Sequence, residues 1–223
     1  MGDTHPILAM TMNKEKNHLK CYTIGHSNSD IQSFVGLLNK FKINCLIDVR
    51  SIPYSQYSAQ FNREQLKLKL NDSSIDYLYF GDTLGGKVTN YPEINKDSID
   101  LSQVRDLEPF QKSVAELHNK INTNDGIVIM CSEKDPFSCH RFFLISYSLS
   151  ILGIEIEHIL KDGTSIPNSN LENELTKNNI PKEQTTLFDT DTSTITNSLE
   201  NKYNKHGLKI LNSSSVEKKL NIK

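Results

Sequence analysis

With 223 residues, 36% of them hydrophobic and 23% charged, the chain is long enough for one well-buried core and has an ordinary globular composition. A formal net charge of -2 and a pI near 6.4 leave no global basic field for duplex nucleic acid, so only a local basic patch could serve that purpose. No run reaches the roughly 18 apolar residues of a membrane helix and the N-terminus lacks an h-region with a cleavage site, so a cytoplasmic protein with reduced thiols and no membrane partner is expected.

Residues 1–18 are polar and uncapped and read as a disordered leader. An α/β domain is expected over residues 19–165. Its first strand is LKCYTIG, ending at Gly25, and Ser29 or Asp30 then offers an N-cap. The helix that follows places Ile31, Phe34, Val35, Leu37, Leu38 and Phe41 on one broad apolar face. INCLIDV, residues 43–49, is a second aliphatic strand, and strand–helix–strand order implies a right-handed parallel crossover. A Pro/Ser/Tyr loop leads to a helix from about Asn62, with Leu66 and Leu70 paired at i,i+4. DYLYF, residues 76–80, is a third strand opening into GDTLGG, where Gly85 and Gly86 allow positive φ and close backbone approach.

Residues 87–105 read as irregular and polar, and a helix follows around PFQKSVAELHNKI. IVIM, residues 127–130, has the continuous aliphatic character of a strand buried on both faces. FFLISYSLSILG is a buried helix that Gly153 stops. IEIEHI, residues 154–159, alternates with period two, which suggests a last strand at the sheet edge, ended by Asp162-Gly163. Residues 166–223 form a polar extension expected to be mostly disordered, apart from a short helix around LENEL. The sum is a single-domain, Rossmann-like three-layer α/β fold with a mostly parallel sheet and a disordered polar tail.

Chemistry concentrates in CSEKDPFSCHR, Cys131 to Arg141, lying between a strand and a helix N-terminus, where backbone N–H groups and the helix dipole favour anions and lower thiol pKa values. His26 and Ser27 end the first strand, and Asp48, Arg50 and Ser51 end the second. Open α/β sheets bind ligands outside the carboxyl ends of their strands, so these groups converge on one cleft.

YTIGHSN at Tyr22 to Asn28, LIDVRSIPYS at Leu46 to Ser55, LGG at Leu84 to Gly86 and MCSEKDPFSCHR at Met130 to Arg141 together resemble the bacterial and archaeal family called domain of unknown function 488. The resemblance spans roughly Tyr22 to Gly163. It implies an α/β domain whose GHS, DVR and C-E-P-CHR motifs line one pocket, here Gly25-His26-Ser27, Asp48-Val49-Arg50, and Cys131, Glu133, Pro136, Cys139, His140 and Arg141. It implies no reaction.

From the residues, Arg50 and Arg141 are expected to hold an anionic ligand, with Ser27, Asp48, Gly85, Gly86 and His140 around it. Structural ion pairs of these arginines with Asp48 and Glu133 are the alternative. Glu133 is the candidate general acid or base, His26 a second proton carrier and Cys139 a nucleophile. Against these stand a Glu133–Arg141 salt bridge, a hydrogen-bonded loop imidazole and an inert thiol; Cys131 reads as a packed thiol.

Phosphatase and rhodanese loops fail on the cysteine–arginine spacing, and GxGxxG and GxxxxGK[ST] are absent. No cofactor is expected, although a metal at Cys131, Cys139 and His140, joined by His26, stays open despite an unfamiliar spacing. Separately, Gln184-Thr185-Thr186-Leu187-Phe188 resembles the Q-x-x-L-F peptide with which bacterial DNA-processing proteins dock on the sliding clamp, Gln184 supplying the polar contact and Leu187 and Phe188 the apolar anchors. The expected function is an enzyme, a hydrolase or transferase, acting on an anionic substrate that is nucleotide-like, phosphorylated or nucleic-acid-derived, in a cleft at the strand C-termini. The alternative is a non-catalytic ligand-binding adaptor tied to DNA processing.

Overall fold

A computed structural model describes residues 19–87, 100–177 and 199–211. Six strands form one sheet, β1 (Lys20–Gly25), β2 (Cys45–Asp48), β3 (Asp76–Tyr79), β4 (Ile127–Cys131), β5 (Glu155–Ile159) and β6 (Ser165–Pro167), in the order β3-β2-β4-β1-β5-β6. All neighbours run parallel except β5 and β6.

The pleat of β4 sorts its side chains onto two cores. Ile127, Ile129 and Cys131 face one, Val128 and Met130 the other, and all are buried, as the unbroken aliphatic run requires. On the second face lie α1 (Ile31–Lys40), through Phe34, Val35 and Leu38, and α2 (Arg63–Asn71), through Leu66 and Leu70. Asp30 caps α1, its carboxylate accepting from the Gln32 and Ser33 amides. The first face is covered by α4 (Leu101–Asp106), α5 (Glu108–Thr123), the segment Arg141–Ser146, α6 (Tyr147–Ile151) and α7 (Asn168–Lys177). Short α3 (Gly81–Leu84) follows β3, and Arg141–Ser146 is wound as a π-helix that runs straight into α6. The three-layer, mostly parallel α/β expectation therefore holds.

Several local expectations are revised. Arg141–Ser146 and α6 follow the expected buried helix, but α4 occupies part of the stretch expected to be irregular. β5 is not an edge strand: β6 pairs antiparallel with it, and the period-two alternation reflects a half-exposed strand whose outer flank β6 covers. β6 and α7 carry the packed unit past residue 165, and residues 199–211, within the expected polar extension, form a helix, α8, whose Tyr203 is 0% exposed. Gly85 and Gly86 do not take positive φ. Their role is the close approach alone.

The chain leaves β1 for α1 on one face and leaves β4 for α6 on the other. These adjacent strands thus part company at their carboxyl ends, which is where an open α/β sheet forms its crevice. The β1–β4 ladder also continues beyond both strands, His26 N–H donating to the Cys131 carbonyl and Ser27 N–H to that of Ser132. Val49 N–H donates to the Met130 carbonyl. The GHS, DVR and CSE loops are thereby knitted into one platform.

Candidate functional site

A cavity of about 430 Å³ opens at this platform. Arg50, Ser51 and Ile52 contribute from the end of β2, Gly86 and Lys87 from beyond α3, and Cys131, Ser132, Glu133, Cys139 and His140 from the loop after β4. Ile210 and Leu211 of α8 also line it.

Arg50 is nearly buried, and its guanidinium is fixed on two sides. Nε and Nη2 donate to Asp48, at 2.9 Å to Oδ1 and 2.6 Å to Oδ2, and Nη1 donates to His26 Nε2 at 3.1 Å. Burial opposes the charge, but the Asp48 carboxylate outweighs it and holds the guanidinium protonated. Asp48, 0% exposed, also accepts from the Arg50 amide and from the Tyr77 hydroxyl at 2.7 Å. These bonds use three of the five N–H groups a guanidinium carries, and the rest of Arg50 borders the cavity.

His26 is committed to this arrangement. Its Nδ1–H donates to the Ser27 carbonyl at 2.7 Å, its Nε2 lone pair takes the arginine, and its ring stacks on Phe61 with centroids 4.3 Å apart. Burial and the facing Arg50 charge push its pKa down to about 4. It does not line the cavity and stays neutral, so the structure makes it a positioning group for Arg50. Ser27 adopts a left-handed φ of 49°, which turns the loop so that its carbonyl meets the imidazole.

Arg141 is also placed differently from the expected ligand anchor. It is fully buried and does not line the cavity; Nη1 donates to the Glu133 carbonyl at 2.7 Å and Nη2 to that of Lys134 at 3.2 Å. It braces the loop from beneath. Gly25 permits this fold-back, since a Cβ there would collide with the Glu133 carbonyl.

The loop so braced gathers four donors. Cys131 Sγ donates to Glu133 Oε2 at 2.8 Å, and Cys139 Sγ lies 3.3 Å from the same oxygen. His140 Nδ1 is 3.6 Å from Cys131 Sγ and 3.7 Å from Cys139 Sγ, and all four donor atoms fall within 4.8 Å of one another. The imidazole is aimed by Nε2–H, which donates to the Val49 carbonyl at 3.2 Å. A Cβ on Gly86 would stand 2.7 Å from the ring, so the glycine keeps its place open.

The electrostatics of the cluster are uneven. Burial, and then neighbouring Cys139, push the Cys131 thiol well up. Burial would also raise Cys139, but a bond from Cys131 and the Arg141 and His140 charges outweigh it and hold that thiol well below its ordinary value. Desolvation first, then the charge of Cys139, raises Glu133, although the residue as a whole is exposed. Burial works against charging His140, and Cys139 overcomes it and raises the imidazole. The cluster can hold a proton, expose a sulfur nucleophile or ligate a cation.

The structure thus brings Arg50, Gly86, Glu133, Cys139 and His140 together on the cavity wall and puts Asp48, His26 and Arg141 behind it; Ser27 and Gly85 do not line it. The Q-x-x-L-F residues Gln184, Leu187 and Phe188 lie outside the described residues. Lys87 and Tyr77 were missed. Lys87 directly follows the Gly85-Gly86 pair, a position that could have marked it as a cation beside a close backbone approach, whereas nothing in the sequence marks Tyr77 as the partner of Asp48. Among the described residues no helix is long and apolar enough to cross a membrane.

Comparison with known proteins returns one family. Residues 30–148, more than half of the chain, match the model described as Domain of unknown function DUF488. Neither a curated protein nor a solved structure matches.

Proposed function

The chain belongs to the DUF488 family, and from that premise and the site geometry we propose that it is an enzyme of hydrolase or transferase type acting on a small anionic substrate, phosphorylated or nucleotide-like. One observation carries this reading: a guanidinium locked by Asp48 and His26 borders the same cavity as the Cys131–Glu133–Cys139–His140 cluster. A cation held this way is preorganised for an anion, because its side-chain entropy is already lost before the ligand arrives. Lys87 supplies a second positive charge on the wall. Glu133 and Cys139 are the groups of the cluster best placed to exchange a proton with the substrate or attack it, and His140 contacts the Cys139 sulfur. Tyr54 and Tyr57, 65% and 98% exposed, follow Arg50 closely in the chain and offer flat apolar faces to a base.

The test is a thermal-shift screen of phosphate, nucleoside phosphates and sugar phosphates. A binder at about 100 times its Kd stabilises the native state by about 2.7 kcal/mol. The native chain should respond to at least one of these anions, and Arg50→Ala should lose that response. No response from the native chain, or an equal response from the variant, ends the reading.

The adaptor reading is favoured by a single observation, the QTTLF sequence at 184–188. It requires that deleting those residues abolish binding to a bacterial sliding clamp, and an intact chain that fails to bind the clamp disposes of it.

A further inference from the structure

We propose that Cys131, Cys139, His140 and Glu133 form a tetrahedral binding site for a zinc-class divalent cation. With the ion bound, Cys139 and Glu133 serve as ligands in place of a free nucleophile and proton carrier, so only anion binding at Arg50 stands apart from this assignment.

The donor set is suited to it. Two sulfurs, one imidazole nitrogen and one carboxylate oxygen match the borderline-soft preference of zinc, whereas calcium and magnesium take oxygen donors. The spacing agrees as well. Bonds of about 2.3 Å to sulfur and about 2.0 Å to nitrogen or oxygen, meeting near the tetrahedral angle, set ligand–ligand edges of about 3.5 Å. The two S···N edges are 3.6 and 3.7 Å, and one S···O edge is 3.3 Å. The remaining S···O separation, 2.8 Å between Cys131 and Glu133, is a thiol hydrogen bond that opens to the same edge when the metal replaces the proton.

The surroundings supply what a metal-ligating histidine needs. Nε2–H donates to the Val49 carbonyl, which fixes the tautomer and leaves the Nδ1 lone pair directed at the two thiols. Gly86 gives the ring its room. Arg141 is the independent sign that a negative centre belongs here. It is 0% exposed, its Nε lacks a partner, and among the described residues it forms no salt bridge to a carboxylate, its partners being backbone carbonyls. A buried cation without a counter-ion is costly. Two thiolates and a carboxylate around a doubly charged ion leave one net negative charge, and Arg141, whose charge already acts on both thiols, offsets it.

Binding releases the thiol protons to solvent as the metal–sulfur bonds form. Glu133, the exposed member of the set, closes the tetrahedron and is the ligand that an incoming oxygen can displace, while the two cysteines and His140 remain. The sequence hid this set because its fourth member is Glu133, from within the loop, and not His26, whose lone pair Arg50 occupies.

The experiment uses the full-length chain purified under reducing conditions without chelator. Elemental mass spectrometry should find about one equivalent of zinc, and the chelated protein titrated with Co2+ should develop a sulfur-to-cobalt charge-transfer band with tetrahedral d–d transitions. Cys131→Ser, Cys139→Ser and His140→Ala should each weaken Co2+ binding by on the order of 100-fold or more, with an unchanged far-ultraviolet circular dichroism spectrum. Cys45→Ser should leave it unaltered. Arg50→Ala should lose anion binding and keep the metal, which separates failure of this site from failure of the substrate reading. The assignment is overturned if the chain carries less than about a tenth of an equivalent and Co2+ yields no charge-transfer band, or if the Cys131→Ser/Cys139→Ser double variant binds Co2+ as tightly as the native chain.

Discussion

Arg50, in the loop after β2, and Arg141, at the start of the π-helical segment that follows the β4 loop, solve the problem of a buried charge in opposite ways. Arg50 is ion-paired and faces the cavity, whereas Arg141 is bound by carbonyls and faces away from it. Removing the Asp48 charge therefore strands a guanidinium: Asp48→Asn should cost about 3–5 kcal/mol in chemical denaturation and also abolish anion binding. His26→Ala leaves the ion pair intact and frees only Nη1, so anion affinity should fall by about tenfold with a smaller loss of stability. Equal anion affinity in the His26 variant, measured by titration calorimetry, would show that the imidazole does not position Arg50. At this scale the sequence shows which motifs belong together, since GHS, DVR and C-E-P-CHR do meet. It could not say which partner each residue takes, because the ligands of Arg141 are peptide carbonyls, which every residue carries, and because the His26 lone pair is consumed by an arginine 24 positions away.

At the level of elements, α8 is attached by a buried polar chain. The Thr23 hydroxyl on β1 donates to His158 Nδ1 on β5, His158 Nε2–H donates to Asn168 Oδ1 on α7, and Asn168 Nδ2 donates to Glu172 and to the Tyr203 hydroxyl of α8, which itself donates to Glu172. Arg105 on α4 adds an ion pair with Glu200 at 2.8 Å and a bond to Asn204 at 2.6 Å. Tyr203→Phe should cost about 1 kcal/mol by removing the hydroxyl, and Tyr203→Ala about 3–5 kcal/mol by emptying its pocket. If both cost less than the error of a urea titration, α8 does not hold to the core as described. The apolar spacing Leu199, Tyr203, Gly207, Leu211 is helical, yet it lies in a stretch of Asn, Lys and Ser, and Gly207 weakens helix propensity. That glycine is what lets the helix approach, because a Cβ there would strike Leu101 and Phe143. Local sequence preference and tertiary packing thus disagree, which is why α8 was not legible, whereas the periodicity of α1 and the unbroken IVIM run were.

Over the whole molecule, two of the three buried histidines, His26 and His158, weaken the fold as pH falls. Burial depresses both His26 and His158 to about 4, below the value near 6.5 of an exposed imidazole, so the unfolded chain binds more protons than the native one between those pH values. The contribution of these two residues should therefore be complete above pH 6.5 and be lost as pH drops toward 4, by about 1.4 kcal/mol per unit for each imidazole. His158→Asn should flatten that slope in denaturation curves collected at several pH values, and an unchanged slope would refute the account. The layered α/β class could be read from alternating strand and helix patterns, but the strand order could not: β4 inserts between β1 and β2 although about 80 residues separate it from β2, and only that insertion brings the three loops into one platform. The same order has a consequence for synthesis. Ile210 and Leu211, which follow every strand of the sheet in sequence, form part of the cavity wall, so a nascent chain can complete its sheet while the chamber still lacks a side. Ripening of the site then waits for translation and docking of these two residues, and a copy that has not yet docked them would carry the reactive loop open to solvent.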